Sequence, residues 1–158
     1  MSTVYLALGT NLGDRSANLK DAIAALPPTL SALESSPVYE TAPWGVTDQP
    51  AFLNMVVRGK TEYAPRELLK QLKLLETQLG RLPSIRYGPR KIDIDLLFYD
   101  DQILNTPELS IPHPGVPARS FVLVPLADLA PELVHPVSGK TIRQLLAEVN
   151  TDGVLRYG

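Results

Sequence analysis

The richest run of chemistry-bearing side chains is Arg86-Tyr87-Gly88-Pro89-Arg90-Lys91-Ile92-Asp93-Ile94-Asp95-Leu96-Leu97. Its second half alternates apolar and acidic residues as a strand does, and residues two apart in a strand share a face with Cα atoms roughly 6.5–7 Å apart. Asp93 and Asp95 therefore project side by side, while Ile92, Ile94 and Leu96 face a core. At about 6 Å two carboxylates repel by ~0.7 kcal/mol in water and by ~3 kcal/mol at an effective dielectric of 20. A half-buried pair needs a cation to offset that. Mg²⁺ suits it, because this ion keeps few protein ligands and shares the rest of its shell with water and substrate phosphates. By spacing alone, an Asp-x-Asp pair is more often the solvated face of an edge strand.

Context shifts the balance. Arg81, Arg86, Arg90 and Lys91 all lie just before the pair, and guanidinium forks grip phosphate oxygens in pairs of hydrogen bonds. Four cations beside two acids fit a polyphosphate site better than four unrelated surface charges. Gly88 and Pro89 give the intervening loop one supple point and one stiff one, so it could close over a ligand. His113, in the proline-fixed run Ile111-Pro112-His113-Pro114-Gly115, could donate to a phosphate or simply pack. Arg119, two residues before Phe121, is a further phosphate candidate, whereas His135 reads as structural. The turn Gly9-Thr10-Asn11-Leu12-Gly13 lacks the Gly-Lys-Ser/Thr ending of a phosphate loop and reads as a tight turn beside a site. Thr41, Trp44, Phe52 and Asn54 could sandwich a flat heterocycle and read its edge. Core packing of Phe52 and loop anchoring by Trp44 account for those two equally well.

These residues need a frame. The chain has 158 residues, 44% of them apolar, which suits one domain over residues 1–158. Fifteen basic against 17 acidic residues leave a net charge of −2, unlike a general nucleic-acid or membrane-surface binder. With no cysteine, disulfides, thiolate zinc sites and cysteine nucleophiles are excluded. The expectation is a soluble intracellular domain, without a membrane span or signal peptide. Thr3–Leu8 reads as a buried strand, Asp14 as a helix N-cap, and Leu19, Ile23 and Leu26 as one helical face stopped by Pro27-Pro28. β character is expected in the second half of Leu30–Tyr39, over Ser35–Tyr39, and again in Phe52–Thr61, with a loop from Glu40 to Ala51. Pro65 fits the first position of a helix carrying Leu68, Leu72, Leu75 and Leu79, and Gly80 its end. Ile92–Tyr99 is the next strand; Val122–Ala130 and Thr141–Val149 are expected as shorter helices. The order β-α-β-β-α-β predicts an α+β, ferredoxin-like fold, an antiparallel sheet with helices on one face, followed by a C-terminal extension.

Several ordered blocks together resemble the 6-hydroxymethyl-7,8-dihydropterin pyrophosphokinase family of folate biosynthesis. They are Leu6-Ala7-Leu8-Gly9-Thr10-Asn11-Leu12-Gly13-Asp14, Val38-Tyr39-Glu40-Thr41-Ala42-Pro43-Trp44-Gly45, Asp48–Asn54, Gly80-Arg81, Arg86–Leu97, Ile111-Pro112-His113-Pro114 and Arg119–Leu126. The resemblance runs from Val4 to about Pro136. It implies transfer of the terminal pyrophosphoryl unit of ATP to the pterin hydroxymethyl group, releasing AMP. It implies that Asp93 and Asp95 hold two Mg²⁺ ions and that Arg81, Arg90, His113 and Arg119 meet phosphate charge during catalysis. Arg86, Glu76 and Ile92 would join these four at the nucleotide. Thr41, Ala42, Trp44, Phe52, Asn54 and Phe121 would form the pterin pocket. A monomer with ATP as co-substrate is the implied form; a cytoplasmic location and no nucleic-acid or membrane partner are the expectations from composition and charge.

The sequence departs from the family pattern at Pro83, where a second basic residue commonly follows Arg81, and at Tyr87, often Trp. Arg86 is the nearest residue able to take up the missing charge. Two other readings stay open at this stage: a catalytically silent pterin- or nucleotide-binding homologue, and a ferredoxin-like RNA-binding module, against which the charge of −2 speaks.

Overall fold

The computed structural model describes residues 1–42, 48–80 and 91–158. Trp44, Arg81, Pro83, Arg86, Tyr87 and Arg90, all singled out above, lie outside the described residues.

The chain runs β1 (Ser2–Thr10), α1 (Arg15–Ala25), β2 (Ser31–Ser35), β3 (Tyr39–Thr41), β4 (Phe52–Thr61), α2 (Pro65–Gln78) and β5 (Asp93–Tyr99). After these come the short strands β6 (Leu104–Asn105) and β7 (Ser110–Ile111), α3 (Ser120–Leu129), α4 (Ile142–Ala147) and β8 (Leu155–Arg156). The main sheet is antiparallel in the order β5-β1-β4-β3-β8, with β2 also on β4. β6 and β7 form a separate small hairpin. The architecture is mixed α/β on an antiparallel sheet.

Local signals explain the boundaries. Asp14 Oδ1 accepts the Ala17 N–H at 3.1 Å and caps α1. Pro65 opens α2, Leu68 and Leu72 bury its inner face, and Gly80, at φ +94°, ends it with an N–H to the Thr77 carbonyl. Thr141 and Gln144 form a reciprocal capping box on α4.

One stretch differs from its sequence reading. β character over Ser35–Tyr39 resolves into two strands, β2 and β3, flanking a break at Ser36-Pro37-Val38. Pro37 has no N–H to give a ladder, and Ser36 holds the break on β4 from both sides. Its N–H donates to the Val56 carbonyl and its hydroxyl accepts the Val56 N–H, each at 2.9 Å. The strand that resumes takes in Glu40 and Thr41, which the sequence had suggested as loop.

Alternation divides the side chains between two cores. Leu6, Leu8, Leu53, Met55, Ile94 and Leu96 face α1 and α2, where they meet Leu19, Leu26, Leu68 and Leu72. Tyr5, Val56, Leu97 and Phe98 face α3 and α4 and meet Val122, Leu123, Leu126 and Ile142. Full burial of each such side chain contributes ~1.5–3 kcal/mol. Both faces of the sheet are therefore covered, whereas the β-α-β-β-α-β pattern alone placed helices on one. His135 is buried with its ring edge-on to Phe98 at 5.8 Å, and its Nδ1 accepts the Ser138 N–H.

Candidate active site

Pairing register assembles the site on the α3 side of the sheet. Gly9 on β1 is opposite Asp93 on one side and Asn54 on the other; Ala7 is likewise opposite Asp95 and Val56. Strands lie about 4.8 Å apart, so the smallest side chains of the central strand make a floor about two strand spacings wide. Carboxylates rise along one border and an amide along the other. Thr41, Phe52 and Asn54 form the amide border, and Phe121 and Val122 of α3 lie over the floor. Together with Ala42, Asp93, Asp95, His113 and Arg119 these residues line a cavity of about 240 Å³.

The amide border is internally held. Asn54 is buried and its Nδ2 donates to Thr41 Oγ1 at 2.8 Å, which fixes which end of the amide is an acceptor. A side chain at Gly9 would put its Cβ 3.1 Å from Asn54 Oδ1, so the bare glycine leaves that oxygen its space. Asn11, also buried, donates to Gln49 Oε1 and the Pro50 carbonyl, and Arg15 donates to Glu40 and the Ala51 carbonyl. These contacts fasten the approach to Phe52.

The acidic border is set by β5. Glu76 of α2 is buried, and its Oε2 accepts the Ile94 N–H at 2.7 Å while Oε1 lies 3.3 Å from Lys73 Nζ. This fixes the backbone between the two aspartates. Further along, β5 carries one residue more than β1: Tyr5 is opposite Phe98 but Leu6 opposite Leu96, which makes Leu97 a bulge. The Leu97 carbonyl accepts the His113 N–H at 2.9 Å, docking the proline-rich loop against the strand.

His113 is tuned by that docking. Its Nδ1 accepts the Gly115 N–H at 3.0 Å, so the neutral ring carries its proton on Nε2 and is a donor there. Burial lowers its pKa from the ordinary 6.5; Asp95 opposes the shift and Arg119 adds to it. Arg119 lies over the Phe121 ring at 5.9 Å.

A second cavity, of about 290 Å³, lies around the edge of β5. Its lining includes Leu69 and Lys73 of α2, Ile94 and Leu96, and Glu108, Leu109 and Ser110 at the small hairpin. It shares Asp95 and His113 with the first. Of the sequence candidates, Thr41, Ala42, Phe52, Asn54, Asp93, Asp95, His113, Arg119 and Phe121 meet in one chamber. Glu76 and Ile92 line neither cavity; both are buried behind β5. The sequence marks Gly9 only as the start of a turn beside a site, while the floor residue Ala7 and, apart from Asp95 and His113, the second cavity's lining escaped the sequence reading. Two small residues in an otherwise bulky strand were the available signal for the floor. Nothing local marked Lys73 or Ser110.

Among the described residues no group of three or more His, Cys, Asp or Glu forms a metal cluster. Two half-buried carboxylates on one face of the first cavity, one of them, Asp95, also lining the second, nevertheless fit Mg²⁺, which takes oxygen donors and needs only one or two from protein.

An antiparallel sheet that presents carboxylates, an amide and aromatic rings beneath a helix has the make-up of a small-molecule site. The 7,8-dihydro-6-hydroxymethylpterin-pyrophosphokinase family model matches residues 5–131. The chain is 43% identical to the 2-amino-4-hydroxy-6-hydroxymethyldihydropteridine pyrophosphokinase of Methylorubrum extorquens, covering 99% of both. It is 40% identical to the Aquifex aeolicus enzyme of that name, covering 94% of this chain and 92% of the relative. Among solved structures, Plasmodium falciparum HPPK-DHPS with pteroate superposes with a TM-score of 0.76 at 20% identity, over 93% of this chain and 42% of that one. That last likeness concerns the fold alone. The chain belongs to the 7,8-dihydro-6-hydroxymethylpterin-pyrophosphokinase family, a family of diphosphotransferases in folate biosynthesis.

Proposed function

We propose that this protein transfers pyrophosphate from ATP to 6-hydroxymethyl-7,8-dihydropterin, giving the pterin diphosphate and AMP. The observation that carries this reading is the pair of cavities sharing Asp95 and His113. One, floored by Gly9 and Ala7 and flanked by rings, suits a flat heterocycle. The other, with Lys73 and Ser110 on its wall, suits a nucleotide. In that arrangement the pterin stacks between Phe52 and Phe121, and Asn54 reads its hydrogen-bonding edge with the amide oriented by Thr41. Ala42 lines the same cavity, and the family resemblance adds Trp44 as a pterin contact.

The hydroxymethyl oxygen attacks the β-phosphorus and gives up its proton to solvent, the bond from that phosphorus to the α-phosphate oxygen breaks, and AMP leaves. Holding the two reactants in line converts their approach into a near-unimolecular step. Asp93 and Asp95 would hold Mg²⁺, two ions in all, and the metal would neutralise phosphate charge and lower the alcohol's pKa. His113 donates from Nε2, and Arg119, seated near it, meets charge on the transferring group. Arg81, Arg86 and Arg90 supply further phosphate contacts. Glu76 acts behind β5, holding the segment between the two aspartates.

The order β5-β1-β4-β3 supports a split βαβ, ferredoxin-like core, with α3 to β8 as a C-terminal extension packed on the same sheet. We read residues 1–158 as one domain, cytoplasmic on its composition and, from the family resemblance, a monomer. Among the described residues no helix is long and apolar enough to cross a membrane.

The test is to incubate the protein with γ-labelled ATP, Mg²⁺ and hydroxymethyldihydropterin. The expected result is AMP formed only when pterin is present, one for each labelled pterin diphosphate. ADP as the nucleotide product, or AMP without pterin, overturns the reading.

A further inference from the structure

Gly115 has ordinary right-handed backbone angles, φ −79° and ψ −13°, which any L-residue adopts at no cost. Its conformation therefore gives no reason for a glycine. Its surroundings do. A Cβ on Gly115 would stand 2.6 Å from Arg119 Nε, 2.8 Å from its Cζ and 2.9 Å from its Cδ, all inside van der Waals contact. The Arg119 side chain folds back across the bare Cα, and its guanidinium occupies the space a methyl group would take. Arg119 supplies all three of the atoms nearest that position. The same residue holds His113, through its N–H to Nδ1 at 3.0 Å, and opens the turn into α3, where its carbonyl accepts the Ala118 and Arg119 N–H groups.

We propose that Gly115 is a positioning residue: its missing side chain seats the Arg119 guanidinium at the cavity, while its backbone N–H fixes the His113 tautomer. This rests on the reading of Arg119 as a phosphate contact. An alanine keeps the N–H and the backbone angles, so Gly115→Ala displaces Arg119 and leaves His113 held. At such a position the substitution is also neutral or favourable to folding, because it reduces the freedom of the unfolded chain.

The experiment compares wild type, Gly115→Ala, Arg119→Ala and the double variant in the full chain. Gly115→Ala is expected to keep or raise Tm yet lower kcat by up to about a hundredfold, the scale of a misplacement of about 1 Å in a catalytic arrangement, with pterin KM little changed. The double variant should be no slower than Arg119→Ala, because the glycine acts through the arginine. The Arg119 Nε–H resonance, identified by its loss in Arg119→Ala, should shift in Gly115→Ala whether or not turnover is measured. An unmoved resonance, wild-type kinetics in Gly115→Ala, or a full additional loss in the double variant overturns the proposal and leaves the assigned reaction standing. Normal turnover in Arg119→Ala overturns both this proposal and the phosphate reading of Arg119. A wild-type protein that makes no AMP overturns the assigned reaction, and the resonance then decides the seating of Arg119 by itself.

Discussion

Asp95 lies on the boundary of both cavities, so its substitution separates chemistry from folding. Asp95→Ala should lower kcat by about a thousandfold, the scale on which removal of a charge-stabilising group acts, with an unchanged circular dichroism spectrum; near-normal turnover with Mg²⁺ would remove the metal role. Thr41 is a subtler case, since its hydroxyl accepts from Asn54 Nδ2. Thr41→Val strips that acceptor and should raise pterin KM about tenfold, equivalent to ~1.4 kcal/mol and within the usual range for one hydrogen bond. Thr41→Ser should restore it, as steady-state kinetics can check. At this scale the sequence was informative: strand alternation alone put Asp93 and Asp95 on one face, where they lie. The hydrogen bond between Thr41 and Asn54 was hidden, because it joins two strands through a register the sequence does not print.

Among the elements, α2 and β5 are coupled by one buried carboxylate. Glu76→Ala would leave the Ile94 N–H without its acceptor and should destabilise the fold by ~1–3 kcal/mol, read as a lower urea midpoint. Turnover should fall with it, since the flanking aspartates lose their backbone anchor. Glu76→Gln keeps an acceptor oxygen and should retain more of both. The element pattern of α2 was plain in advance, from Pro65 to Gly80. Family resemblance places its Glu76 near the nucleotide, and the structure adds a contact that the pattern did not signal, from the Ile94 N–H to the Glu76 carboxylate. The bulge at Leu97 left no sequence mark either: a single extra residue in β5 looks like ordinary strand. Pro37 did carry a signal, and the break it enforces between β2 and β3 follows from its missing N–H.

For the molecule as a whole, two cores share one sheet, and each histidine sits on the side where α3 and α4 pack. Burial lowers the pKa of both His113 and His135 below the ordinary 6.5. A histidine depressed in the folded state leaves the unfolded chain holding the extra proton between the two values. Stability from these groups is therefore complete above about pH 6.5 and is lost as pH falls through 6.5 toward the folded values. Urea midpoints taken at decreasing pH from 7.5 to 5.5 should fall; a midpoint that stays flat or rises contradicts the assignment. The net charge of −2 and the absence of cysteine had already excluded broad classes of function. What they could not convey was the second helical layer, because the extension's apolar residues show that α3 and α4 need a partner without saying which face supplies it. The central claim is that two substrates meet at the aspartate border of one sheet. A crystal structure with Mg²⁺, hydroxymethyldihydropterin and a non-hydrolysable ATP analogue tests it most directly. The expected result is metal at about 2.1 Å from carboxylate oxygens of Asp93 and Asp95, with the pterin over Gly9 and the β-phosphate beside its hydroxymethyl oxygen. Both carboxylates bare of metal, or the pterin bound away from the Gly9 floor, would contradict it.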